Sequence, residues 1–130
     1  MIVLAIKTDN PQAELYVYNS YQKLAEIKWQ AHLELSKTLH KQIRKILNQS
    51  SILADRLDGI VCFKGPGSFT GLRIGLSVAN AMAYAYNIPI VATNGQNWVQ
   101  AGIKELQNGK NQKIALPEYG RPANISQPRK

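Results

Sequence analysis

Cys62-Phe63-Lys64-Gly65-Pro66-Gly67-Ser68-Phe69-Thr70-Gly71-Leu72-Arg73-Ile74-Gly75 decides the fold. An apolar run, Ile60-Val61-Cys62, leads into it and a long helical pattern follows, so a strand feeds a glycine-rich turn that feeds a helix. Such a junction gathers free backbone N–H groups and the positive end of a helix at one point. It serves either to bind an anion or to let backbones pack closely. The spacing G-x-G-x-x-x-G is not the dinucleotide fingerprint G-x-G-x-x-G, and no Gly-Lys-Ser/Thr follows as in a phosphate loop. Pro66 fixes one torsion, Gly65 and Gly67 permit unusual ones, and Ser68 is placed to cap the helix.

Outward from the turn, residues 2–6 are almost continuously apolar and read as a buried central strand. Asp9-Asn10-Pro11 is turn chemistry, residues 14–18 read as a second strand, and Asn19-Ser20 marks another turn. Residues 26–33 alternate, with Ile27, Trp29, Ala31 and Leu33 on one side and Glu26, Lys28, Gln30 and His32 on the other. That pattern predicts a half-exposed strand. A helix over 36–49 puts Leu35, Leu39, Ile43, Ile46 and Leu47 on one arc and Lys37, Lys41, Arg44 and Lys45 opposite. A strand at 60–63, a helix over 69–87, a strand at 90–93 and a helix over 96–106 follow. Meander, helix, strand, helix, strand, helix predicts a single α/β domain over residues 1–116, a mixed five-stranded sheet with flanking helices. Residues 117–130, rich in Pro, Asn, Gln and basic side chains, are expected to be an extended tail that the fold does without.

The second helix carries a row of small residues, Gly67, Gly71, Gly75, Ala79 and Ala83, at every fourth position. Leu72, Ile74, Leu76, Val78 and Met82 widen its apolar arc beyond what one sheet face requires. The surplus predicts a second packing surface, either for the first helix or for a helix of another chain. The corresponding partner-facing set is Gly71, Leu72, Gly75, Leu76, Ala79, Met82 and Ala83, with Leu39 and Ile43 of the first helix.

The chain has 130 residues, 45% of them hydrophobic, and a formal net charge of +8. One cysteine, Cys62, excludes an internal disulfide and a zinc set, and its place in an apolar strand predicts an inert thiol. No apolar run approaches a membrane span, and strand residues begin at Ile2, so a cytoplasmic protein without a signal peptide is expected. The charge permits RNA, DNA or an acidic protein as partner; Lys37, Lys41, Arg44, Lys45 and Arg121 are the candidate contacts for nucleic-acid phosphate, which the resemblance described below would make that of tRNA. Trp29 and Trp98 are expected in packing. No Asp, Glu or His lies between Gly59 and Glu105, so the glycine turn lacks a general base and a carboxylate to hold Mg²⁺. Asp9 is the one carboxylate placed near it, and Lys7 brings a positive charge beside that point. The residues predict no catalytic group, no metal and no cofactor. The other readings are a small nucleotide-binding ATPase that uses the turn, or a basic RNA-binding module.

GPGSFTGLRIGLSVANAMAYAYNIPIV, from Gly65 to Val91, resembles the loop, second helix and following strand of the TsaB (YeaZ) family. Met1-Ile2-Val3-Leu4-Ala5-Ile6-Lys7-Thr8 is similar to that family's first strand, and Leu116-Pro117-Glu118-Tyr119-Gly120-Arg121-Pro122 resembles its C-terminal ending. The resemblance covers about residues 1–100 and the tail. It implies an actin-like/Hsp70-like ATPase (ribonuclease H-like) lobe without catalysis. It also implies a scaffold subunit that pairs with a TsaD-like catalytic subunit, with a TsaE-like ATPase, in the synthesis of threonylcarbamoyladenosine in tRNA. Helix-to-helix pairing with another chain is that family's mode, with a homodimer when the subunit is alone, and tRNA is met indirectly. The catalytic subunit's metal-binding H-x-x-x-H is not present, because His32 and His40 do not have that spacing. Lys7 stands where the family usually has Asp, and Leu35 stands near its usual His. Only a short stretch separates Leu106 from the tail, so the expectation is a second lobe lost by internal deletion.

Overall fold

The computed structural model describes residues 1–119. Strands β1 (Ile2–Lys7), β2 (Gln12–Asn19) and β3 (Gln22–Gln30) form an antiparallel meander. Strands β4 (Gly59–Phe63) and β5 (Ile90–Thr93) run parallel to β1, in the order β3-β2-β1-β4-β5. Helices α1 (Leu35–Gln49) and α2 (Phe69–Tyr86) cover one face, and α3 (Trp98–Gln107) covers β4 and β5 on the other. The sheet is therefore mixed and flanked on both faces, as the alternation of elements predicts. β4 and β5 are buried along their whole length, which is why they read as unbroken apolar runs.

Close packing fixes α3. A side chain at Gly102 would run into Val61, so this glycine lets the helix lie directly on β4. Trp98 is buried with its ring edge-on to Phe63 (5.7 Å) and Tyr16 (6.2 Å), a packing role. Trp29 is half-buried and donates its indole N–H to Thr38 Oγ1 at 3.0 Å, which ties β3 to α1.

Two expectations change. β3 begins earlier and ends earlier than the alternation over 26–33 implies. The amides of Ala31 and His32 both donate to the Pro11 carbonyl (2.9 and 3.1 Å), which stops the ladder after Gln30. The chain turns there with His32 at φ 44° and continues as a single 3-10 turn, so Leu33 is 83% exposed instead of facing inward. The second change concerns the C-terminal segment. Gln112 N donates to Ile90 O (2.9 Å), while the side-chain carbonyls of Asn111 and Gln112 accept from Ile90 N (3.1 Å) and Ala92 N (2.7 Å). Two side-chain amides thus complete the free edge of β5. The segment then crosses α2, where Asn80 pairs with both backbone groups of Ala115 (3.0 and 2.8 Å). Pro117–Tyr119, read from the sequence as the start of a dispensable tail, return to the glycine turn: Glu118 N donates to Lys64 O (2.6 Å), and the Tyr119 ring lies 4.4 Å from that of Phe69.

Cys62 is fully buried in β4, and burial pushes its thiol up to about 12. The native state thus keeps a proton that the unfolded chain releases above pH ~9, and this part of the stability falls as pH rises from there. Between pH 8 and 10.5 wild type should lose about 2 kcal/mol more than Cys62→Ala, as read by urea denaturation. Asn80→Ala leaves the N–H and carbonyl of Ala115 unpartnered. It should lower the unfolding free energy by about 1–3 kcal/mol in the same assay.

Candidate functional site

The glycine turn joins β4 to α2 and lies against the turn that follows β1. Lys64 N donates to Thr93 O (2.8 Å), and Ser68 N donates to the Asp9 carbonyl (2.7 Å). Gly65 is buried at φ 119°, a conformation open to glycine, and a side chain there would strike the Glu118 carbonyl. Gly67 rests on Asp9, Gly71 on the Thr8 carbonyl, and Gly75 on the Thr8 side chain. Thr8 is 2% exposed and donates its hydroxyl to Gly71 O at 2.7 Å. Ser68 caps α2 by accepting from Gly71 N (3.3 Å). The small-residue row therefore does serve a close approach, but the surface approached is the end of this chain's own β1.

Most of the expected partner-facing set packs inside the domain instead. Leu72, Leu76, Ala79, Ala83, Leu39 and Ile43 are buried in the domain's core, as is Gly75, while Gly71 and Met82 are half-buried. The surplus apolar arc of α2 is used three times within one chain. The sheet, α1 and the C-terminal segment each cover part of it. α2 leaves Phe69 (55% exposed), Thr70, Arg73, Ser77, Ala81 and the Tyr84–Tyr86 end to solvent, with Ile74 and Val78 half-buried beside α1. A groove of about 420 Å³ runs there between Ser36 and His40 of α1 and Thr70, Arg73 and Ser77 of α2.

Lys7 organises the charge at the turn. Its ammonium lies 2.6 Å from Asp9 Oδ1, 3.9 Å from Glu14 Oε2 and 4.6 Å from the centre of the Phe63 ring. Asp9 and Glu14 side chains are only 13% and 17% exposed, so this network is largely withdrawn from water. The carboxylate of Asp9 is engaged by an ammonium, and the Ser68 and Gly71 amides are engaged by the chain itself. Beside them a cleft of about 360 Å³ is lined by Asn10, His32, Ser68 and Thr70 among others, without a Lys or Arg. Among the described residues no group of three His, Cys, Asp or Glu side chains is placed to hold a metal. The arrangement suits packing and recognition.

Lys37, Lys41, Arg44 and Lys45 are exposed on α1, opposite its buried residues, and line none of the clefts at the turn. Arg121 lies outside the described residues. Thr8, the Lys7–Asp9–Glu14 network and the Phe69–Tyr119 pair, with Arg73 5.1 Å from the Phe69 ring, were not foreseen from sequence. A threonine directly after an apolar strand, and a lone amide (Asn80) in an apolar helix, were the available signals for two such contacts. Gly75→Ala should destabilise, because overpacking against Thr8 at about 1–3 kcal/mol outweighs the ~1 kcal/mol gain in helix propensity. In a Thr8→Ala background the same change should be neutral or stabilising. A thermal-melt double-mutant cycle reads the coupling.

The likenesses of the chain fit this geometry. A family model described as TsaD, tRNA N6-adenosine threonylcarbamoyltransferase, matches residues 29–111. The tRNA threonylcarbamoyladenosine biosynthesis protein TsaB of Bacillus subtilis (strain 168) is 32% identical over 94 residues, covering 72% of this chain and 41% of that protein. YeaZ from Pseudomonas aeruginosa superposes with a TM-score of 0.68 at 21% identity, over 83% of this chain and 50% of that one. RuvC of T. thermophilus, solved with a Holliday junction substrate, superposes with a TM-score of 0.55 at 15% identity, over 96% and 85% of the two chains. The two structures establish the fold, shared with YeaZ and with the ribonuclease H-like RuvC. This chain spans less than half the length of the B. subtilis protein. Glycine turn, sheet order and matched residues together place the chain in the TsaD family, among its TsaB (YeaZ) members.

Proposed function

We propose that this protein is a non-catalytic partner subunit in the biosynthesis of threonylcarbamoyladenosine in tRNA, and that it pairs with a TsaD-like transferase. One observation carries the reading: the turn that an actin-like fold uses to cradle phosphate is closed here on Thr8 and on Asp9, which Lys7 neutralises. With the Asp9 carboxylate paired to Lys7 and the Ser68 and Gly71 amides bonded within the chain, the site is poorly suited to Mg²⁺ and nucleotide. The chain takes no cofactor of its own, and ATP turnover in the assembly belongs to a TsaE-like partner. The assembly works in the cytoplasm, where its tRNA is.

The docking face is the solvent side of the α1–α2 groove: His40, Phe69, Arg73, Ile74, Ser77 and Val78. It offers aliphatic side chains rimmed by an arginine, a histidine and hydroxyls, the composition of a separable protein interface. The same face pairs two copies when the transferase is absent.

The test mixes the purified chain with a TsaD-like transferase and measures complex mass by light scattering and threonylcarbamoyl transfer to tRNA. A one-to-one complex, no turnover by the chain alone, and loss of the complex in Ile74→Arg are the expected results. ATP with Mg²⁺ should leave the melting temperature unchanged; a nucleotide bound at 100 times its dissociation constant would add about 2.7 kcal/mol. Turnover by the chain alone, abolished by Gly67→Val, would overturn the reading.

A further inference from the structure

The net charge of +8 is not spread evenly. Six of the eight carboxylates, Asp9, Glu14, Glu26, Glu34, Glu105 and Glu118, lie within 4 Å of a lysine ammonium, and a seventh, Asp58, accepts the Ile2 amide. The acidic groups are thus consumed locally, and the excess cations collect elsewhere. Helix α1 has no Asp or Glu in its sequence LSKTLHKQIRKILNQ. Its Leu35, Leu39, Ile43, Ile46 and Leu47 are buried, which fixes the rotation of the helix about its axis. Lys37, Lys41, Arg44 and Lys45 then fall within an arc of about 100° directed away from the sheet. All four are exposed. Lys37 has a solvent-exposed neighbour, Glu34, at 3.7 Å, and Lys41, Arg44 and Lys45 have no carboxylate within 4 Å among the described residues. The cations from Lys37 to Lys45 are spread along about 12 Å of helix axis on a rigid, core-anchored element.

We infer that this outer face of α1 binds the phosphate backbone of RNA directly. A row of four cations with a single exposed carboxylate beside it repels itself in the free protein and gains when phosphates replace its counterions. The face has no exposed aromatic side chain on which a base would stack, and none of the four cations has a partner that would aim it at a base edge. It therefore reads charge and shape, and sequence selection is left to other parts of the assembly. The choice of RNA as the polyanion rests on the function proposed above. The face is distinct from the α1–α2 groove, which is lined by Ser36 and His40 on α1, so the transferase and the RNA engage different sides of one helix.

The test titrates tRNA into the full chain by fluorescence anisotropy between roughly 50 and 300 mM salt. The variant carries K37Q, K41Q, R44Q and K45Q together; a second carries Arg at the three lysines. These are exposed positions, so both variants should fold, as checked by circular dichroism. The Gln variant should bind at least tenfold more weakly, with its slope of log K against log salt reduced by about 3, as each lost phosphate contact removes roughly 0.7–0.9. The Arg variant should bind as wild type does. Wild-type slope and affinity in the Gln variant would overturn the inference. Loss of transferase binding in that variant with tRNA binding intact would overturn it too, and would make the face a dock for an acidic protein. Intact α1-dependent tRNA binding by a chain that never pairs with the transferase would sustain this inference while the proposed function fails.

Discussion

Everything in this domain hangs on how closely α2 approaches the end of β1. The axis of a helix packed on a sheet ordinarily stands off by the thickness of side chains. Here Gly67, Gly71 and Gly75 remove that spacer, and the helix backbone settles onto Thr8 and Asp9 with the Thr8 hydroxyl bonded to Gly71 O. Two of those glycines sit inside the helix, each about 1 kcal/mol less favourable there than alanine. The approach offsets that by excluding water from Thr8 and seating Leu72 and Leu76 in the core. It also sets the height of the glycine turn, which brings Ser68 within hydrogen-bonding distance of Asp9 O and leaves Lys7 to balance the nearby carboxylates.

The chemistry at the turn follows from that geometry. An actin-like lobe that handles nucleotide needs a gap between the β1–β2 turn and the helix end, lined with free donors and a carboxylate for a metal. In this chain Gly67 and Gly71 rest on Asp9 and Thr8, the Ser68 amide donates to Asp9 O, and Lys7 pairs with the Asp9 carboxylate. The glycine motif serves close packing here, and Lys7 and Asp9 set the charge beside it.

Much of this was legible in advance. Central strands buried on both faces are unbroken apolar runs, and amphipathic helices show a 3.6-residue period, so β1, β4, β5, α1 and α2 could be read directly. The end of β3 could not, because Ala31 and Leu33 carry the alternation past the point where Pro11 O takes the ladder's amides. The small-residue row announced a close contact without saying with what, since glycine records the absence of a side chain and nothing about its neighbour. The C-terminal segment was harder still. It bonds through the side-chain amides of Asn111 and Gln112, and such pairing leaves no periodic trace in a sequence.

Those two amides have a consequence for assembly. Ile90 N, Ile90 O and Ala92 N, three of the groups that β5 would offer to an incoming strand, are already bonded within the chain. The opposite border of the sheet, β3, has no neighbour among the described residues. A filament built by strand pairing needs two open borders, so that each subunit both offers and receives an edge. This sheet has one. Two copies that meet through β3 exhaust it between them, and polymerisation by that route terminates at the pair.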